Sequence, residues 1–104
     1  MSQSFGLTPA AEQDLNEAAD WYNDQQDGLA ERFLEAARAA FTWVCDAPSR
    51  SAMLYRGARR LPIRGFPYAA LYVLENEMVV IVAVLHNRRD PSVWMRRVDD
   101  QQES

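Results

Sequence analysis

The residue types best suited to chemistry gather in the second half of the chain. The stretch Leu85-His86-Asn87-Arg88-Arg89-Asp90-Pro91 follows the apolar run Met78–Leu85 and holds the single histidine of the 104 residues. Arg56, Arg59, Arg60 and Arg64 lie earlier, before or on an alternating segment. Guanidinium groups are planar and present paired donors, which suits phosphate oxygens and carboxylates. If the two groups of arginines flank strands of one sheet, they converge on one side as a patch for phosphate or acidic protein surface. The plainer alternative is a solvated strand edge, where arginines discourage edge-to-edge pairing. Imidazole is the side chain that ordinarily titrates near neutrality. His86 is therefore either an acid/base candidate or a hydrogen-bonded residue that aligns the strand end. Asp90 either caps a following turn or short helix, or pairs with Arg88 or Arg89 and holds the guanidinium in place.

Composition narrows the function classes. The apolar fraction of 48% and charged fraction of 25% are those of a globular domain, and the length fits one domain with one modest core. No apolar run approaches the roughly 20 residues of a membrane span, and no basic-then-apolar leader opens the chain. Cys45 is alone, so no internal disulfide forms, and one Cys with one His builds no zinc cluster. A cytoplasmic protein without cofactor or metal is expected, with Cys45 as an inert core thiol. Net charge is −4, but residues 1–47 carry −7, residues 48–97 carry +6 and residues 98–104 carry −3. The overall sum disfavours a general nucleic-acid binder, while the C-terminal half is locally basic. All eleven bases are arginine. No phosphate-binding glycine loop and no metal-ligand spacing is present.

These residues need a scaffold to position them. Ser4–Leu7 reads as a short edge strand. Thr8-Pro9 then opens a helix, a capping hydroxyl followed by proline at the first helical position. Its apolar face is Ala11, Leu15, Ala18, Ala19 and Tyr22. Asp27-Gly28 breaks the pattern, and a second helix runs from Leu29 to Cys45 on a stripe of Ala30, Phe33, Ala37, Phe41 and Val44. The short link makes the two antiparallel. The period then changes. Ala58–Arg64 alternates, with Arg60, Pro62 and Arg64 on one face and Arg59, Leu61 and Ile63 on the other. Gly65-Phe66-Pro67 turns into Tyr68–Leu74, Glu75-Asn76-Glu77 links on, and Met78–Leu85 is a central strand buried on both faces. The expected fold is α+β and two-layered: a short N-terminal strand and an antiparallel helical hairpin packed on a mainly antiparallel sheet that ends in a three-strand meander. Residues 1–98 form the single domain. Residues 99–104 form a polar tail, frayed at the end.

The order strand, helical hairpin, meander, His-x-x-Arg-Asp carries a resemblance. The segments LTPAAEQDLNEAADWY (7–22), RRLPIRGFPYAALYVLENEMVVIVAVLHNRRDP (59–91) and WMRR (94–97) resemble the RelE/ParE superfamily of type II toxin–antitoxin toxins, and more closely its ParE branch. The matching positions include Ala11, Asp14, Leu15, Trp21 and Tyr22 at the first helix, and His86, Arg89 and Asp90 after the last strand. Together they span roughly residues 5 to 97. The resemblance implies a small toxin neutralised by a cognate antitoxin, whose C-terminal segment wraps the toxin's helices and sheet. ParE-like members, of the kind that stabilise plasmids, bind DNA gyrase and have no chemistry of their own. On that reading Arg59, Arg60, Arg64, Arg88 and Arg89 contact the target or the antitoxin, and His86 and Asp90 orient them. The toxin alone reads no nucleic-acid sequence. RelE-like members instead cut mRNA on the ribosome, which would cast Arg64, His86 and Arg88 as a minimal catalytic set. Here Asn87 stands where some nuclease members have tyrosine, and Trp94 has no titratable group. A non-toxic binding domain of the same fold is the remaining alternative.

Overall fold

The computed structural model describes residues 4–103. Thr8 caps the first helix, α1 (Pro9–Gln25), by accepting the Ala11 amide at 3.2 Å, and Pro9 fills a position where a missing N–H costs nothing. Gly28, at φ +85°, turns the chain into α2 (Leu29–Cys45). Small residues on α1, among them Ala11, Ala18 and Ala19, are buried and let the two helices approach closely.

The sheet has five strands: β1 (Phe5–Leu7), β2 (Met53–Tyr55), β3 (Ala58–Ile63), β4 (Tyr68–Glu75) and β5 (Met78–His86). They lie in the order β1-β5-β4-β3-β2, with β1 parallel to β5 and every other pair antiparallel. β4 and β5 are joined by Asn76 and Glu77, both at positive φ, the left-handed pair that a two-residue hairpin link demands.

Helices cover both faces. On one, α1 and α2 bury Phe33, Phe41, Val44 and Tyr22 against Leu61, Ile63, Ala70, Tyr72, Val79, Ile81 and Val84. On the other, α3 (Pro91–Gln102) buries Val98 against Ala58, Leu71, Val73, Val82, Ala83 and Leu85. The α+β class, the helical hairpin and the meander agree with the sequence reading, and the structure adds to it in three places. The meander has a fourth strand, β2, a three-residue piece whose Met53 and Leu54 remain exposed, so no apolar alternation marks it. The middle strand is β4, because β1 takes the outer side of β5. Residues 99–102, expected as a polar tail, are the last turn of α3. Asp99 accepts the Tyr55 hydroxyl and Arg56 Nη1, each at 2.8 Å, and Gln102 donates to the Arg56 carbonyl at 2.9 Å. Asp99 and Gln102 thus tie this last turn to the β2–β3 turn at the surface.

One irregularity of β5 bears directly on the site. The β4–β5 register shifts between Leu71 and Tyr72, which pair with Ala83 and Ile81, so Val82 is an extra residue. Val79 and Ile81 face the helical hairpin before this bulge; after it, Val84 does. The change of phase turns His86 to the hairpin side, where its ring meets Tyr68.

Candidate functional site: an arginine rim beside an aromatic cleft

A row of paired residues crosses one end of the sheet. Ile63 pairs with Tyr68, and Tyr68 with His86. The chain leaves this row in two turns. Arg64 begins the β3–β4 turn, in which the Phe66 amide donates to the Ile63 carbonyl at 3.1 Å. After β5, the Asn87 amide donates to the Pro67 carbonyl at 2.8 Å, joining the second turn to the first. Arg88 and Arg89 sit in that second turn, exposed. The Arg88 amide donates to His86 Nδ1 at 3.0 Å, and the Arg89 amide to the His86 carbonyl at 2.9 Å. His86 thus shapes the turn from both its ring and its backbone. Arg60 reaches the same end from β3, donating to Asn87 Oδ1 at 2.8 Å.

Four of the predicted arginines, Arg60, Arg64, Arg88 and Arg89, therefore share one end of the sheet, although not one face. Arg89 lines the hairpin side, Arg60 projects to the α3 side, and the two turns lie between. Among the described residues Arg64, Arg88 and Arg89 make no ion pair and no side-chain hydrogen bond, so their guanidiniums are available to a partner. Arg59 is not part of this rim. It pairs with Tyr72, four residues along β4 from Tyr68, and its Nη1 is committed to the carbonyls of Ser49, at 3.1 Å, and Ser51. Arg56 lies in the β2–β3 turn at the other end, ion-paired to Asp99.

Asp90 takes the capping alternative. Its carboxylate accepts the Ser92 amide at 2.9 Å at the start of α3, and it pairs with neither Arg88 nor Arg89. The Ser92 bond holds this carboxyl below the usual carboxylate range. The contact places Asp90 at the start of α3 rather than on a guanidinium.

Beside the rim lies a cleft of about 680 Å³ between α1, the Pro67 turn and the end of β5. Trp21, Tyr22 and Tyr68 give it aromatic walls; His86 and Arg89 stand at its rim end, and Asp14 and Glu17 of α1 also line it. Trp21 is 54% exposed. Burial pushes the Tyr68 phenol above its ordinary pKa, against the opposing pull of the Arg89 charge. Behind these walls Tyr22, Phe33, Phe66 and Tyr68 form a ring cluster with centroids 5.0 to 6.0 Å apart.

Sequence reasoning missed two parts of this site. Asn87 serves as the bridge to Arg60, and nothing in its type or spacing signals that. Asp14 and Arg97 form a bidentate ion pair, Nη1–Oδ2 2.8 Å and Nη2–Oδ1 2.9 Å, across 83 positions of sequence. Asp14 and Arg97 both fall within the segments that carry the ParE resemblance, but nothing in the sequence joins them as a pair. The bond to Asp14 raises the Arg97 pKa further above its usual value.

A family profile described as the ParE toxin of the type II toxin-antitoxin system, parDE, matches residues 6–91. The chain belongs to the ParE toxin family. Solved structures agree with this in fold. A chain of the chromosomal ParDE toxin-antitoxin system from P. aeruginosa superposes with a TM-score of 0.69 at 18% identity, over 82% of this chain and 96% of that one. A chain of the RelBE2 toxin-antitoxin complex from Mycobacterium tuberculosis gives 0.61 at 27% identity, over 83% and 92%. No curated protein sequence matches. The ParE profile ends at the first residue of α3, so it takes in the whole arginine rim and Asp14 but not Arg97.

Proposed function

We propose that this ParE-family chain is the toxin of a type II toxin–antitoxin module, that it arrests growth by binding DNA gyrase in the cytoplasm, and that a cognate antitoxin neutralises it by wrapping a C-terminal segment over its helices and sheet. The observation that carries the reading is the rim itself: Arg64, Arg88 and Arg89, without an ion pair among the described residues, with Arg60 beside them, at one end of the sheet. Such a rim binds acidic protein surface by charge and bidentate geometry and requires no reaction of its own. His86 supports the same role. Its Nδ1 is spent on the Arg88 amide, which makes it a brace for the arginine turn. Arg59, spent on two backbone carbonyls, is left out of the contact surface.

Induced expression tests this. DNA-damage signalling in cells, with loss of supercoiling by purified gyrase, is the expected result, and the folded Arg88→Ala/Arg89→Ala double variant should lose both. Rapid translation arrest with cleaved mRNA would replace the reading by an endonuclease built on Arg64, His86 and Arg88. Absence of any growth effect would leave a non-toxic binding domain.

A further inference from the structure

β5 outruns its neighbour. β1 stops at Leu7, opposite Ile81, and the Thr8 amide closes the pairing on the Ile81 carbonyl at 3.0 Å. From Val82 to His86 the strand has β4 on one side and, among the described residues, no strand on the other. The bulge at Val82 further loosens this segment, because it interrupts the ladder with β4. Yet this same segment carries His86 and the arginine turn.

Two side chains stand where the missing strand would be. Asp14 Oδ2, from α1, accepts the Val84 amide at 3.1 Å. Arg97 Nη1, from α3, donates to the Val82 carbonyl at 3.2 Å. The two are joined to each other by the bidentate pair, with Asp14 9% and Arg97 24% exposed at the side chain. A carboxylate supplies the acceptor and a guanidinium the donor that a neighbouring backbone would have provided. The clasp spans both faces of the sheet, since α1 and α3 pack on opposite sides.

We infer that Asp14 and Arg97 are positioning residues for the rim: by holding the bulged end of β5 they fix the orientation of His86 and, through its Nδ1, of the Arg88–Arg89 turn. The inference rests on the rim being the contact surface. It adds a residue of α3 that lies outside the ParE-matched region 6–91. A second tie of α3 to the body, Asp99 with Tyr55 and Arg56, provides a control, because it holds the same helix at the far end of the sheet.

The single histidine makes the test direct, since the imidazole resonances of His86 are unambiguous. They report the Arg88 amide bond at Nδ1 and the Tyr68 ring, whose centroid lies 5.3 Å away. In Asp14→Asn the His86 signals should shift toward those of a free imidazole, and the Arg88 amide should lose its exchange protection. Asp14→Asn leaves the Arg97 charge unpaired, so the neutral double Asp14→Asn/Arg97→Gln is the companion for the case where the single variant unfolds. Both are compared with Asp99→Asn, which should leave the His86 signals in place. Unmoved His86 signals in a folded clasp variant overturn the inference. So does an equal shift in Asp99→Asn, which would mean a general loosening of α3. The readout needs no target, so failure of the clasp and failure of the gyrase reading are separate results.

Discussion

Tyr68 and His86 face each other across the β4–β5 ladder and meet edge to face, ring centroids 5.3 Å apart and planes at 74°. One partner roots in the aromatic cluster under α1 and α2; the other shapes the arginine turn. The contact therefore links the core to the rim. Arginines close in sequence can differ sharply in their attachment to this core, and that difference is measurable.

Arg59 and Arg60 are neighbours with opposite roles. Arg59→Ala should loosen the 49–51 segment on β3 and lower the melting temperature, because the Ser49 and Ser51 carbonyls lose their donor while Pro48 stays tied to the Tyr72 hydroxyl. Arg60→Ala, Arg64→Ala, Arg88→Ala and Arg89→Ala change exposed side chains and should stay within about 0.5 kcal/mol of the parent. Thermal melts beside growth-arrest assays separate the two: stability should fall with the first, toxicity with the others.

Binding through the rim should weaken with salt. Exposed charges are screened over about 8 Å at physiological ionic strength. The association rate with an acidic partner should fall as salt rises, and the slope should flatten in Arg88→Ala/Arg89→Ala. Stopped-flow or surface-based kinetics across a salt series would show it, and an identical slope in the two proteins would count against the rim.

Phe33 is fully buried at the centre of the ring cluster. Truncating it to alanine should cost about 3–5 kcal/mol, a large part of the about 5–15 kcal/mol available to a domain. Denaturant titration of Phe33→Ala should show a midpoint far below the parent, with Tyr68 and the cleft loosened together.

Acid should loosen α3 first. The Arg56 and Tyr55 hydrogen bonds hold the Asp99 carboxyl below the usual range, and the Ser92 amide does the same for Asp90. A depressed folded-state pKa contributes stability that is present above the unfolded value of about 4 and is lost as pH falls through the folded value. Melting temperature should therefore drop on acidification below about pH 4, and the drop should be smaller in Asp99→Asn/Asp90→Asn, which lacks both groups.

Glu77 occupies a left-handed position, φ +66°, that side chains bearing a Cβ adopt at a cost of roughly 1–2 kcal/mol. Glu77→Gly at the hairpin link should raise the melting temperature by several degrees, less what glycine loses in chain entropy. Calorimetry would decide it.

The parts legible in the sequence were those written locally. Thr8-Pro9 announced its helix through a cap and a fixed φ, and the stripe through Phe33, Ala37, Phe41 and Val44 announced the next one. The alternation at Arg59, Leu61 and Ile63 gave the faces of β3. What escaped was non-local. The Val82 bulge sits within a uniformly apolar run and has no sequence mark, so the side on which His86 emerges could not be read. Residues 99–102 looked like a tail because Asp99 and Gln102 are polar, and only the fold brings Tyr55 and Arg56 beneath them. Arg59 had the same charge as Arg60, and the alternation separated only their faces. Its diversion to Ser49 and Ser51 depends on the path of a loop that propensity does not specify.

The parallel seating of β1 against β5 makes Phe5–Leu7 wait for Val79–Ile81. During synthesis β1 has no seat until residues 79–81 have left the ribosome, and the arginine turn at residues 88–89 emerges later still. A chain halted before Met78 thus lacks Arg88, Arg89 and the strand that seats Phe5–Leu7, so the sheet closes on its first-made strand only after β5 has been released.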